Sequence, residues 1–243
     1  MTTLVVGASG ATGRLLVEQL LKQGQKIKII VRSPDGLPDC FKDNNDISII
    51  HASVLNLSDA EMTNHVKGCD AVASCLGHNL TVKGIYGKPH RLVTDTVRRL
   101  CNAIRQSKPE KSVKFVLMNT TGNSNRDLSE PTPLSQKCAI WLIRHLLPPH
   151  ADNENAADYL RTQIGQSNEV IEWTVVRPDT LIDENEVTEY EIFPSPIRNA
   201  IFDAGKSSRI NVSHFMADLI NNHDTWFKWK GRMPVIYNKY EEG

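Results

Sequence analysis

Three glycines at GxxGxxG spacing, Gly7, Gly10 and Gly13, stand between a short β-branched run and an apolar helical pattern. Residues 3–6 read as a buried strand. Residues 11–23 carry Leu15, Leu16, Leu20 and Leu21 at helical spacing and close at Gly24. A chain that passes from strand to helix in so few residues needs glycine at three places: where it bends sharply, where another group nears its backbone, and where the helix packs on the strand. The turn leaves the first helical N–H groups and the positive end of the helix dipole facing outward, an arrangement suited to phosphate. Gly7, Ser9, Gly10, Ala11, Thr12, Gly13 and Arg14 are therefore the expected contacts of a dinucleotide pyrophosphate.

The rest of the chain repeats this alternation. Strands are expected at 26–31, 46–51, 71–74, 114–118, 173–176 and 233–237. Helices are expected at 92–106, 136–147 (stopped by Pro148-Pro149), 156–164 and 212–220, and Ser58-Asp59-Ala60-Glu61 is a capping box that opens a short helix. Strands alternating with helices predict an α/β fold, a Rossmann-type doubly wound parallel sheet. At 243 residues the chain is expected to form a single domain spanning 1–243, with residues 183–211 adding a small C-terminal substrate-side lobe. The polar stretch 122–133 follows the fifth strand, on the edge where such sheets bind ligands.

Charge and cysteine usage narrow the function. Lysine plus arginine equals aspartate plus glutamate, 28 against 28. A polyanion binder carries a basic surplus, so no nucleic-acid partner is expected. The five cysteines are widely spaced without CxxC, and the eight histidines show no HxxxH or HExxH pattern, so no metal site is expected. No apolar run is long enough for a membrane helix, and the opening residues lack the basic and apolar regions of a secretory signal, so the expectation is a cytoplasmic protein.

The end of the second strand selects between NAD and NADP. NAD sites place an acid there for the ribose hydroxyls. Here the strand ends Ile30-Val31-Arg32-Ser33. Arg32 can face a 2′-phosphate with its guanidinium fork, Ser33 can donate a hydrogen bond, and Arg14 can add a second cation, so the expected cofactor is NADP(H).

These residues resemble the short-chain dehydrogenase/reductase superfamily in its atypical, NmrA-like branch of NAD(P)H-binding proteins. The resemblance is carried by GASGATGR, by VRS after the second strand, by Asp70-Ala71-Val72 leading to Cys75-Leu76-Gly77, by Trp173-Thr174-Val175-Val176-Arg177-Pro178, and by Asn211-Val212-Ser213-His214-Phe215-Met216. It covers nearly the whole chain. Within the branch the chain also looks like the biliverdin IXβ and flavin reductases. The resemblance implies that Leu76 and Gly77 line the adenosine–pyrophosphate path, that Thr120 and Thr121 approach the nicotinamide ribose, and that Pro178 lies beside the nicotinamide.

Many members of the superfamily reduce carbonyls with a Tyr-x-x-x-Lys pair, the tyrosine supplying a proton and the lysine lowering its pKa. The family's spacing, counted back from Arg177, puts the tyrosine near Pro149 and the lysine near Asn153. Tyr159 is followed four residues later by Gln163. The remaining catalytic candidates are Thr120, Thr121, His78 and Tyr159, with His78 read as either a ligand contact or a solvated loop residue, and Tyr159 as either an acid or a packed helix tyrosine. Asn79, beside His78, and Asp179, after the Arg-Pro strand end, could also face a substrate, and Asp179 could instead hydrogen-bond a nearby turn. The apolar helix around Ile140-Trp141-Leu142-Ile143 reads as core, as a pocket wall or as a homodimer contact, and Trp226-Phe227-Lys228-Trp229 as a packed aromatic corner. An NADP site without the pair is expected in an NADPH-dependent oxidoreductase that passes hydride to a small conjugated acceptor such as a flavin or quinone. It is also expected in a non-enzymatic NADP(H)-sensing regulator.

Overall fold

The computed structural model describes residues 1–78, 81–128, 130, 140–144 and 146–239. Its strands are β1 (Thr2–Val6), β2 (Lys26–Val31), β3 (Ile47–His51), β4 (Ala71–Ser74), β5 (Val113–Met118), β6 (Ile171–Pro178), β7 (Thr180–Ile182), β8 (Tyr190–Phe193), β9 (Lys206–Ser208) and β10 (Val235–Asn238). Its helices are α1 (Ala11–Lys22), α2 (Asp39–Lys42), α3 (Asp59–Val66), α4 (Val82–Tyr86), α5 (Leu92–Ser107), α6 (Pro148–Tyr159), α7 (Arg209–Asn221) and α8 (His223–Trp229).

Eight strands form one sheet in the order β3-β2-β1-β4-β5-β6-β10-β8. All neighbours run parallel except β8, which pairs antiparallel with β10 at the edge. β7 and β9 form a separate parallel pair. Segment 183–211 thus contributes one strand, β8, to the main sheet and one, β9, to the small one.

Strand side chains alternate between faces, and the two faces of this sheet are covered by different helices. Leu4, Val6, Val72, Phe115, Leu117, Trp173 and Val175 pack with α3, α5 and α6. Val5, Ile29, Ala73, Val116, Val176 and Ile236 pack with α1, α7 and α8. α5 is strongly amphipathic: Val93, Val97, Leu100, Cys101 and Ile104 recur at three- and four-residue intervals and are fully buried. Each such aliphatic side chain contributes roughly 1.5–3 kcal/mol by leaving water. The aromatic corner is α8, with Trp226 and Trp229 buried and Phe227 exposed.

The capping box forms in full. Ser58 Oγ accepts from the Glu61 N–H at 3.2 Å, and the Glu61 carboxylate accepts from the Ser58 N–H at 2.7 Å. One expected boundary is wrong. Pro148-Pro149 do not only end the preceding helix; they are the first residues of α6, which begins eight residues before the expected Ala156. Proline has no N–H to lose at a helix start and its fixed φ suits the first turn, so a Pro-Pro step is ambiguous between stop and start. Beyond Tyr159 the helix widens into a π-helical turn, Leu160–Ile164. Of the expected helix at 136–147, residues 136–139 and 145 lie outside the described residues.

Candidate functional site

Because the sheet is parallel, its strand ends line one edge. The register aligns Val6 with Ser74, Ser74 with Leu117 and Leu117 with Val175, so the segments that follow β1, β4, β5 and β6 emerge side by side.

At the β1 end two of the three glycines are required, by different contacts. Gly7 adopts φ +80°, and a Cβ there would lie 2.6 Å from the Cys75 carbonyl carbon. A Cβ on Gly13 would lie 2.1 Å from the Gly7 oxygen, so α1 can pack onto the turn only without a side chain at that position. Gly10 is the N-cap of α1 and makes no side-chain cap, and no acid stands in the first turn. A Cβ on Gly10 would be tight only against the Gly7 oxygen, at 3.3 Å. The uncapped helix start, with Ser9, Gly10, Ala11 and Arg14 exposed around it, leaves orphan N–H groups for an anion. Thr12 is buried beneath.

At the β2 end Arg32 is exposed, and its carbonyl accepts from His51 Nε2 at 2.8 Å. A cleft of about 210 Å³ brings Arg32 together with Gly77, His78, Lys88 and Leu92. Ser33 is engaged within its own turn. Its hydroxyl donates to Asp35 Oδ2 at 2.9 Å and caps the turn Pro34–Gly36. The acid missing from the strand end is thus present two residues beyond Ser33, in the turn.

At the β4 end Leu76 turns partly into the core and Gly77 is exposed, with nothing within 4 Å of an added Cβ. Cys75 is partly buried, and desolvation pushes its thiol up to about 12, which removes it from thiolate chemistry. His78 is not a solvated loop residue: it stands in the wall of the cleft with Arg32 and is held there by a partner. Its side chain is 4% exposed and its Nε2 lies 2.8 Å from Asp152 Oδ2. The same carboxylate accepts from the N–H groups of Val93 and Thr94 at 2.7 and 2.9 Å, capping α5. His78 therefore ties the β4 loop to α6. Asn79 lies outside the described residues.

At the β5 end Asn119 Nδ2 donates to the Asn153 carbonyl of α6 at 2.9 Å, and Asn119 Oδ1 accepts from the Thr120 N–H at 2.9 Å and from the Asn123 amide. Thr121 is buried, and its N–H donates to the Pro178 carbonyl at 3.0 Å, joining the β5 and β6 ends. Pro178 is buried beside it. Asp179 accepts from the Gly205 N–H at 2.9 Å; burial raises its pKa, while hydrogen bonds from Gly205, Thr121 and Thr180 act against that rise. Arg177, at 0% exposure, donates to the carbonyls of Met233 (2.7 Å), Asn123 (2.8 Å) and Pro194 (3.2 Å) and pairs with Glu130 at 2.7 Å.

Of the four catalytic candidates, Thr120 and Thr121 stand on this edge. Tyr159 does not: it packs against the α5 side of the core, where burial raises its phenol pKa and Cys101 and Arg105 are neighbours. A residue absent from the sequence reading does stand there. His150, in the first turn of α6, would meet a Cβ on Gly122 at 3.1 Å. Its only sequence signal is the i, i+4 spacing to Glu154, which carries no chemistry until the helix start is known.

Among the described residues no three or more His, Cys, Asp or Glu group as a metal site, and no helix is long and apolar enough to cross a membrane.

A family model described as NAD(P)H-binding matches residues 7–223. No curated protein matches the chain in sequence. Among solved structures, a short-chain dehydrogenase/reductase of the wide type from Veillonella parvula, in complex with NADP, is 16% identical, with 98% of this chain and 94% of that chain covered at a TM-score of 0.70. An oxidoreductase of Lactococcus lactis is 17% identical, with coverages of 98% and 91% and a TM-score of 0.69. A candidate NADH-flavin reductase of Streptococcus pneumoniae is 19% identical, with coverages of 98% and 100% and a TM-score of 0.66. At these identities the likeness is one of fold.

Proposed function

Since the chain belongs to the NAD(P)H-binding family, we propose that it is an NADPH-dependent oxidoreductase of the atypical, NmrA-like short-chain type, passing hydride to a small conjugated acceptor such as a flavin or quinone. The observation that carries this reading is the uncapped glycine turn at the start of α1, opening onto the same sheet edge as Thr120 and Pro178. The N–H groups of residues 11–13 and the Arg14 side chain would take the pyrophosphate, and Arg32, with Lys88 across the cleft, the 2′-phosphate. Asp35 already holds Ser33, so Ser33 contributes to the 2′-phosphate only if that hydrogen bond is exchanged. Gly77 leaves open space beside the turn, and Thr120 and Pro178 would border the nicotinamide. The bound dinucleotide supplies the hydride; the protein supplies its position and the exclusion of water.

By the resemblance, the tyrosine–lysine spacing falls near Pro149 and Asn153. Neither can act as a proton-donating pair, which favours acceptors whose reduced form takes its proton from elsewhere. The protein, NADPH and a panel of flavins and quinones, followed by nicotinamide absorbance, test the proposal. Turnover above background is the expected result; cofactor binding without turnover across the panel would instead favour an NADP(H)-sensing regulator.

A further inference from the structure

α6 begins with a different pair from the one the spacing anticipates. His150 and Glu154 lie one residue past Pro149 and Asn153, and four residues apart they share one helix face. The ring of His150 packs against Gly122, whose missing side chain makes room for it: Cε1 lies 3.1 Å, and Thr120 Oγ1 3.7 Å, from the point a Cβ would occupy. Imidazole and threonine hydroxyl therefore flank the same turn at the β5 end. His150 Nε2 is buried and, among the described residues, has no hydrogen-bond partner. Its nearest counter-charge is Glu154 Oε1 at 3.8 Å, too long for a hydrogen bond, and that carboxylate is gripped by Arg144 Nε and Nη2 at 2.6 and 2.7 Å. A buried polar atom without a partner is destabilising, and a ligand atom accepting or donating there would offset that cost.

We propose that His150 is the proton donor to the acceptor, standing where the tyrosine would, with Glu154 as a positioning residue fixed by Arg144. The inference rests on the oxidoreductase reading above. In the step, hydride leaves the reduced nicotinamide with its electron pair and bonds to the acceptor, so the dinucleotide is oxidised and the acceptor reduced. The imidazolium N–H bond breaks as the proton passes to the acceptor oxygen or nitrogen that gains charge. Neutral His150 then recovers a proton from solvent.

Burial lowers the pKa of His150 below its usual value; Glu154 works against this and Arg144 with it. The positive end of α6 acts in the same direction as Arg144, and the facing turn of Thr120 to Gly122 brings no charge. The donating form is therefore populated as pH falls through a value below the ordinary histidine range, and the rate rises toward acid.

The test is NADPH-driven reduction of an active flavin or quinone between about pH 5 and pH 8, for wild type, His150→Gln and Glu154→Gln, with the His150 ring titrated in parallel by NMR and NADPH affinity measured by calorimetry. Expected are an acid limb in kcat that coincides with the His150 titration, and loss of that limb with a fall of about 100-fold or more in His150→Gln at little change in NADPH affinity. Expected in Glu154→Gln is a limb shifted to lower pH, since the group favouring the imidazolium is gone; this variant answers the question even if His150→Gln does not fold. An active His150→Gln with the limb intact, or a Glu154→Gln limb that does not move with the ring titration, overturns the donor role alone. Wild-type protein that binds NADPH and reduces nothing overturns the oxidoreductase reading and the donor role with it.

Discussion

The glycine turn and the start of α6 face the same edge of the sheet and are built by opposite means. At the turn the chemistry belongs to the backbone. Gly7 and Gly13 are dictated by overlaps with main-chain atoms, and the groups left open at the helix start are peptide N–H groups that need no side chain. At α6 it belongs to side chains brought together from far along the chain: Asp152 to His78, Asn119 to Asn153, His150 to Gly122. A backbone site tolerates change around it but not at its glycines. A side-chain site can exchange its groups while the fold persists. One fold can therefore keep a cofactor and vary its acceptor.

The contrast can be broken by experiment. The largest effect is expected from Gly13→Ala. The overlap at 2.1 Å is with backbone that cannot rotate away, so the variant should lose about 4–5 kcal/mol in a denaturant melt and bind no NADPH. Next is Asp152→Ala, which removes the partner of a buried histidine and two N–H groups and should cost about 3 kcal/mol. NADPH should still bind below the lowered Tm; a binding loss equal to that of Gly13→Ala would mean the two regions are not separable. Arg32→Asp should leave the fold intact and weaken NADPH by about 10–100-fold, with NADH little affected, the worth of one or two charge-assisted bonds. Equal loss for both cofactors in calorimetry would reject Arg32 as the 2′-phosphate contact. The smallest effect is expected at Gly77→Ala. An added Cβ there meets nothing, and stability should move by less than about 0.5 kcal/mol, against the severe loss at Gly13.

What could be read from the sequence follows the same division. The turn, the β1 to β5 strands and the capping box at Ser58 are local, their causes lying within a few residues, and each forms where the pattern places it. The clamp of His78 on Asp152 spans 74 residues, and nothing beside either residue announces it. Ser33 looked available because its partner Asp35 is a turn acid rather than a strand-end one. His150 was hidden by the Pro-Pro step: with Pro148-Pro149 read as a stop, His150 falls between helices instead of on the first turn of one, and its spacing to Glu154 has no meaning.

Arg177 has one more consequence, in the way the molecule opens. Its single guanidinium holds the loop after β5 through Asn123 and Glu130, the lead-in to β10 through Met233, and the turn after β8 through Pro194. None of these segments can leave without stranding a buried charge that the others share. Amide protons across all three should therefore exchange with solvent as one cooperative block, at one common rate, rather than fraying loop by loop.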